Sequence, residues 1–176
     1  IEPPPHVSYA DVDVYTCGPW CQGPVLVQSL ALLEGMDLAA MGHNSLDYIH
    51  TLTEAIKLAC ADRERYYGDP RFEDVPMAEL LSPAYNKTRR ELIRNDIAWP
   101  GMPPAGKAGG SSRSEEHAHP AAEGAQALDL DTSYVCVADR HGNVFSATPS
   151  DISSDTPVVP GTGLCPSSRG SQSWGV

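Results

Sequence analysis

At 176 residues and 18.8 kDa, with 41% hydrophobic residues, the chain is long enough for one domain with a real core. A net charge of -11, from 12 Lys+Arg against 23 Asp+Glu, argues against nonspecific binding to nucleic acid or an anionic membrane, which leaves small-molecule or peptide chemistry. No run of about 18 apolar residues is present, so no segment reads as a membrane-spanning helix. The chain opens at Ile1 without Met or a signal-peptide pattern and reads as an excerpt of something longer.

In chain order, Asp13-Val14-Tyr15-Thr16 is a short strand candidate that runs into the turn signal Cys17-Gly18-Pro19. A helix is expected over 22–33, with Val25, Leu26, Leu30 and Leu33 at helical spacing and Gly35 placed to cap its end. The strongest periodicity follows. Asn44 or Ser45 caps a helix whose apolar stripe is Leu46, Ile49, Leu52, Ile56, Ala59 and Cys60. That helix closes on Asp62-Arg63-Glu64-Arg65, which reads as a solvated charged face, and Gly68-Asp69-Pro70 ends it. Ser82-Pro83 then supplies an N-cap and first-turn proline for a shorter helix through Ile93.

The five cysteines, Cys17, Cys21, Cys60, Cys136 and Cys165, are odd in number and scattered, which favours free thiols over a disulfide framework. Cys17 and Cys21 stand four apart and could form a redox pair or half of a metal site, although no second ligand pair is evident. The odd count leans toward a reducing interior such as the cytoplasm.

Composition divides the chain into a mostly helical region over 1–95, a flexible linker over 96–131 and a β-like region over 132–176. The linker is rich in Gly, Pro, Ala and Ser and poor in large apolar residues, the composition of a mobile tether. Glu115-Glu116-His117-Ala118-His119 within it reads as solvated and not as a metal patch. At Leu130-Asp131-Thr132-Ser133 it gives way abruptly to alternating strand residues. Thr132 could simply open that strand as a β-branched residue. It could also be the first residue released by self-cleavage, where its own α-amine would serve as base to its hydroxyl. Two strands over 133–138 and 144–147 bracket Asp139-Arg140-His141-Gly142-Asn143, a hairpin turn in which His141 is a turn residue and not a base. The hydroxyls of Thr148 and Ser150 then fall on the strand paired to the one that Thr132 begins. Farther on, Arg169 among small polar residues is a plausible clamp for a substrate carboxylate.

Gly18-Pro19, Gln22-Gly23-Pro24, Gly42-His43-Asn44-Ser45 and above all Ala61-Asp62-Arg63-Glu64-Arg65-Tyr66-Tyr67-Gly68-Asp69-Pro70 resemble the later part of the large subunit of the γ-glutamyltransferase family. Asp131-Thr132-Ser133, Asp139, Gly142-Asn143 and Gly161-Thr162-Gly163 resemble the start of its small subunit, in the same order. The resemblance implies a partial α+β fold, the αββα four-layer sandwich of the N-terminal-nucleophile hydrolases. It further implies a precursor that cuts itself between Asp131 and Thr132, with Thr132 as catalytic nucleophile and Ser150 as the hydroxyl that supports it. A small-molecule γ-glutamyl or related amide would donate its acyl group to Thr132 and then to water or an amine. Large and small subunits would come from one precursor, with no metal or organic cofactor and no nucleic-acid or membrane partner implied. Relatives of this kind are often periplasmic or extracellular, so the resemblance and the cysteine count point to different compartments.

This chain also departs from the family pattern. Ser133 replaces a second Thr, and Ile152 stands where an Asn contacts the glutamyl group. The substrate segment reads Ser167-Ser168-Arg169-Gly170-Ser171-Gln172, so a neutral Gln172 replaces an Asp that pairs with the substrate ammonium. With Arg169 beside it, the pocket formed by Ser167, Ser168, Arg169 and Gln172 is retuned, and an acylase acting on glutaryl or cephalosporin-type amides is the alternative within catalysis. A truncated homologue without chemistry is the alternative outside it.

Overall fold

The computed structural model describes residues 2–109, 134–148 and 157–164. The chain separates into two compact units, Ile1–Ala118 and His119–Val176. The first begins with β1 (His6–Tyr9) and β2 (Val12–Tyr15), an antiparallel hairpin in which Tyr9 opposes Val12. Only Ala10 and Asp11 lie between the strands, and both have positive φ (48° and 63°). A two-residue hairpin connection demands that geometry because its twist must match the strands. The sequence signals pointed to β2 alone; β1 escaped because neither turn residue is Gly or Asn.

The helices follow as α1 (Gly23–Leu33), α2 (Leu38–Met41), α3 (Leu46–Tyr66), α4 (Met77–Leu80) and α5 (Pro83–Arg90). Pro24 occupies the first turn of α1, where its missing N–H would have had no partner, and Gly35 at φ 78° turns the chain away past the C-terminus. Ser45 Oγ accepts from the Tyr48 amide at 3.1 Å to start α3, and Ser82 Oγ accepts from the Tyr85 amide at 3.2 Å to start α5.

The buried face of α3 differs from the expected stripe. Thr51, Glu54, Ala55, Leu58, Ala59, Asp62 and Tyr66 are buried, whereas Leu46, Ile49 and Ile56 are 88%, 50% and 48% exposed. Helix α1 packs along that face, and Leu32, Leu33, Ala55, Leu58 and Ala59 form the first core cluster. Each buried leucine contributes about 1.5–3 kcal/mol relative to exposure. Tyr66, Tyr67 and Leu80 form the second cluster, around the turn that follows α3.

The second unit contains β3 (Val135–Ala138) and β4 (Val144–Ala147), an antiparallel hairpin with Val135 opposite Ala147 and Cys136 opposite Ser146. Asp139 builds its turn. One carboxylate oxygen accepts from the amides of His141 (2.8 Å) and Asn143 (2.9 Å), and the other from Asn143 Nδ2 (2.8 Å). The Asn143 side chain first, and then these amides, hold the Asp139 carboxyl below its ordinary range. His141 is thus a turn residue, and Gly142 supplies the positive φ of 84°.

Candidate active site

Asp131, Thr132, Ser150, Ser167, Ser168, Arg169 and Gln172 lie outside the described residues. The described scaffold nearest to them in sequence is the β3–β4 hairpin. Positions 134, 136 and 146 share one of its faces because side chains alternate along a strand, and there Tyr134 Oη and Ser146 Oγ are 3.0 Å apart. The next described segment is also a turn. Thr162 N donates to the Val159 carbonyl at 3.2 Å, and Pro160 and Gly161 (φ 76°) fill the central positions. Pro followed by a positive-φ Gly is what such a turn requires. Thr162 Oγ1 donates to the same carbonyl at 2.9 Å and accepts from the Leu164 amide at 3.1 Å.

The first unit holds a buried polar centre that the sequence analysis missed. Asp62 was read as part of a solvated charged face; its side chain is instead completely buried. It sits one turn beyond Leu58 and two beyond Ala55, on the same stripe, so helical periodicity carries it into the core. One oxygen accepts from Gln28 Nε2 at 2.6 Å. The other pairs with an Arg89 guanidinium nitrogen at 3.1 Å and accepts from the Gly106 amide at 2.8 Å. Arg89 also donates to the Leu58 carbonyl at 3.3 Å, and Tyr67 Oη donates to Gln28 Oε1 at 3.4 Å. Burial, then the Asp62 charge, pushes the Tyr67 phenol well above its usual range, so it remains a neutral donor.

The Asp62 centre reaches into the expected flexible linker. Residues 99–109 are clipped to the helices, which corrects that expectation for this part; 110–131 lie outside the described residues. Glu54 accepts from the Trp99 amide at 3.2 Å and pairs with Lys57 Nζ at 2.8 Å, while Lys57 donates to the Trp99 carbonyl at 2.6 Å. Tyr66 Oη donates to the Gly106 carbonyl at 2.8 Å and accepts from the Ala108 amide at 3.0 Å. Glu79 accepts from the Gly109 amide at 2.7 Å. Composition concealed this strap because its order comes from backbone amides and carbonyls bonded to distant side chains as much as from its own buried Pro103 and from Ala108, which packs on the second cluster.

Among the described residues no three His, Cys, Asp or Glu side chains gather as a metal site, and no helix is long and apolar enough to cross a membrane. The described part of the second unit holds two turns and a hairpin face that carries the Tyr134 and Ser146 hydroxyls.

Two short antiparallel hairpins and a packed helical layer make this a mixed α+β fold. A family model for gamma-glutamyltranspeptidase matches residues 1–171, and the chain belongs to that family. It is 37% identical over 150 residues to the acylase ACY 1 proenzyme of Pseudomonas sp. (strain SE83), covering 83% of this chain and 23% of that protein. It is 32% identical over 149 residues to the glutathione hydrolase proenzyme of Bacillus subtilis subsp. natto, covering 84% and 25%. Among solved structures, LmbA2991HD superposes with a TM-score of 0.82 at 39% identity over 98% of this chain and 29% of the other. Helicobacter pylori gamma-glutamyltranspeptidase superposes with a TM-score of 0.54 at 34% identity over 57% of this chain and 30% of the other. The fold is accordingly part of the αββα sandwich of the N-terminal-nucleophile hydrolases. The chain spans about a quarter of the length of the curated relatives it matches.

Proposed function

We propose that the full-length protein is a self-cleaving γ-glutamyltransferase-like enzyme with Thr132 as its nucleophile. The observation that carries this reading is the gamma-glutamyltranspeptidase family match over residues 1–171, which takes in Asp131, Thr132 and Ser150. In this reading Ser150 supports the Thr132 hydroxyl. Maturation begins when Thr132 Oγ1 attacks the Asp131 carbonyl carbon and the peptide bond shifts to an ester. Water hydrolyses that ester, leaving an Asp131 carboxylate and a free α-amine on Thr132. The large subunit then ends at 131 and the small subunit begins at 132. In turnover the same hydroxyl attacks the donor amide. Its proton passes through the α-amine to the leaving amine, and water or an acceptor amine releases the acyl group.

One feature favours an acylase as the second reading. Arg169 and Gln172 stand in the substrate segment, and Gln172 lacks the charge that would pair with a glutamyl ammonium. A guanidinium there suits a dicarboxylic acyl group such as glutaryl.

Intact-mass and N-terminal sequencing of the full-length protein test the main reading. A new N-terminus at Thr132, abolished in Thr132→Ala, is expected; an uncut wild-type chain would instead support a homologue without chemistry. Paired γ-glutamyl and glutaryl anilides then separate the two catalytic readings. If glutaryl is the acyl group, Arg169→Ala should raise KM for that substrate roughly tenfold to a hundredfold, the scale of a lost charged hydrogen bond.

A further inference from the structure

We propose that Cys17 and Cys21 form a redox-active dithiol that closes to an intramolecular disulfide by exchange with a small disulfide. The pair brackets the turn Gly18-Pro19-Trp20 between β2 and α1, in which the Cys21 amide donates to the Gly18 carbonyl at 3.2 Å. The Cys21 sulfur folds back over the same turn. It lies 3.3 Å from the Gly18 carbonyl and accepts from the Gly23 amide at 3.4 Å, which sets it beside the residue that follows Cys17. Both ends of the bracket are held. A Cβ placed on Gly23 would come within 3.1 Å of the Cys17 amide nitrogen and carbonyl oxygen, so the Cys17 backbone packs directly on the start of α1.

The two thiols differ in access. Cys17 is exposed and opens on a shallow cleft of about 430 Å³ shared with Glu2, Pro3, Pro4, Thr16 and Trp20, so its sulfur is accessible to a small disulfide. Cys21 is half-buried. Burial raises its pKa first, the Gly23 amide opposes that, and the neighbouring Cys17 raises it further, so the exposed Cys17 is the thiol that meets an external disulfide first and Cys21 resolves it. These positions divide the chemistry into two steps. The Cys17 thiolate attacks one sulfur of the small disulfide, forming a mixed disulfide and expelling one thiolate. The Cys21 thiolate then attacks the Cys17 sulfur, forming the internal bond and expelling the second. Two protein thiols are oxidised, one external disulfide is reduced, and the two protons lost from the cysteines are available to the two released thiolates. So short a loop gains little chain-entropy stabilisation from closure, which suits a bond that opens as readily as it forms.

The experiment treats the full-length protein with oxidised glutathione, blocks free thiols with iodoacetamide and digests with trypsin. Lys57 is the first Lys or Arg of this sequence, so the peptide ending there carries Cys17 and Cys21 but not Cys60. The expected product is that peptide unlabelled and about 2 Da lighter than its dithiol form, with both alkylation sites regained after reduction. The Cys21→Ser variant should retain a stable glutathione adduct on Cys17, and closure in the wild type should accelerate as pH rises. Alkylation of both wild-type thiols, or an adduct that never resolves, overturns the proposal. Oxidation of Cys60 at the same rate would mark global opening and overturn it equally.

Discussion

A carboxylate with no access to water is expensive unless both oxygens are hydrogen-bonded and its charge is paired, and Asp62 meets that condition with Gln28, Arg89 and the Gly106 amide. Removing it would strand the Arg89 guanidinium, itself 4% exposed, in the core. Asp62→Ala should lower the unfolding free energy of the full-length protein by about 3–5 kcal/mol in denaturant titration, the scale for breaking a buried pair from one side. Glu54 behaves differently. Burial would raise its pKa, but Lys57 and the Trp99 amide more than offset that and hold the carboxyl below its ordinary range. A group depressed in the folded state stabilises above its unfolded pKa, and that contribution is lost as pH falls through the folded value. Glu54→Gln should therefore remove part of the acid sensitivity of the melting temperature below about pH 4.5 while leaving its slope near neutrality unchanged.

At the scale of elements, the strap over 99–109 depends on how closely its backbone approaches α5. A Cβ on Gly106 would lie 2.1 Å from Tyr85 Oη and 2.9 Å from Arg89 Cδ, so Gly106→Ala forces the strap outward. It should destabilise by about 1–3 kcal/mol in thermal or denaturant unfolding, the scale of an overpacked core. The three longer helices and their starts were legible from local chemistry, with Ser45, Ser82 and Gly35 each acting at the position its residue type suggests, whereas the one-turn helices α2 and α4 carried no such signal and α5 stops at Arg90, short of Ile93. The burial of α3 was less legible. Leu46, Ile49 and Ile56 look like a core stripe, yet the packed face runs through Thr51, Glu54, Leu58 and Asp62. Apolar counting alone hides a face built from small residues and paired charges, whose burial rests on partners in α1, α5 and the strap. The same blindness made 99–109 look like unstructured tether.

For the whole molecule, the family was legible because two motif blocks in the right order survive on either side of a variable stretch, and their local chemistry explains them. Gly142 and Gly161 have positive φ, Asp139 is saturated by turn donors, and the Ala61–Pro70 run contains the buried Asp62 and the packed Tyr66 and Tyr67. The proposed substrate residues 167–172 lie outside the described residues, and their meaning depends on groups distant in sequence. Arg169 acquires a role only from what a pocket places opposite it, and no periodicity encodes that.

The Gly106 amide is also a clock for opening of the first unit. It donates to the Asp62 carboxylate, which has zero exposure, while Tyr66 Oη donates to the carbonyl of the same glycine, and both partners belong to α3, 40 or more residues earlier. Contacts of such long separation form late in folding, because the intervening chain must first be ordered. In native-state hydrogen exchange the Gly106 proton should therefore leave on the timescale of the α3 core amides, whereas exchange at the rate of a frayed terminus would mark a strap that detaches independently. Slow exchange would make residues 99–109 part of the cooperative unit and not an appendage to it.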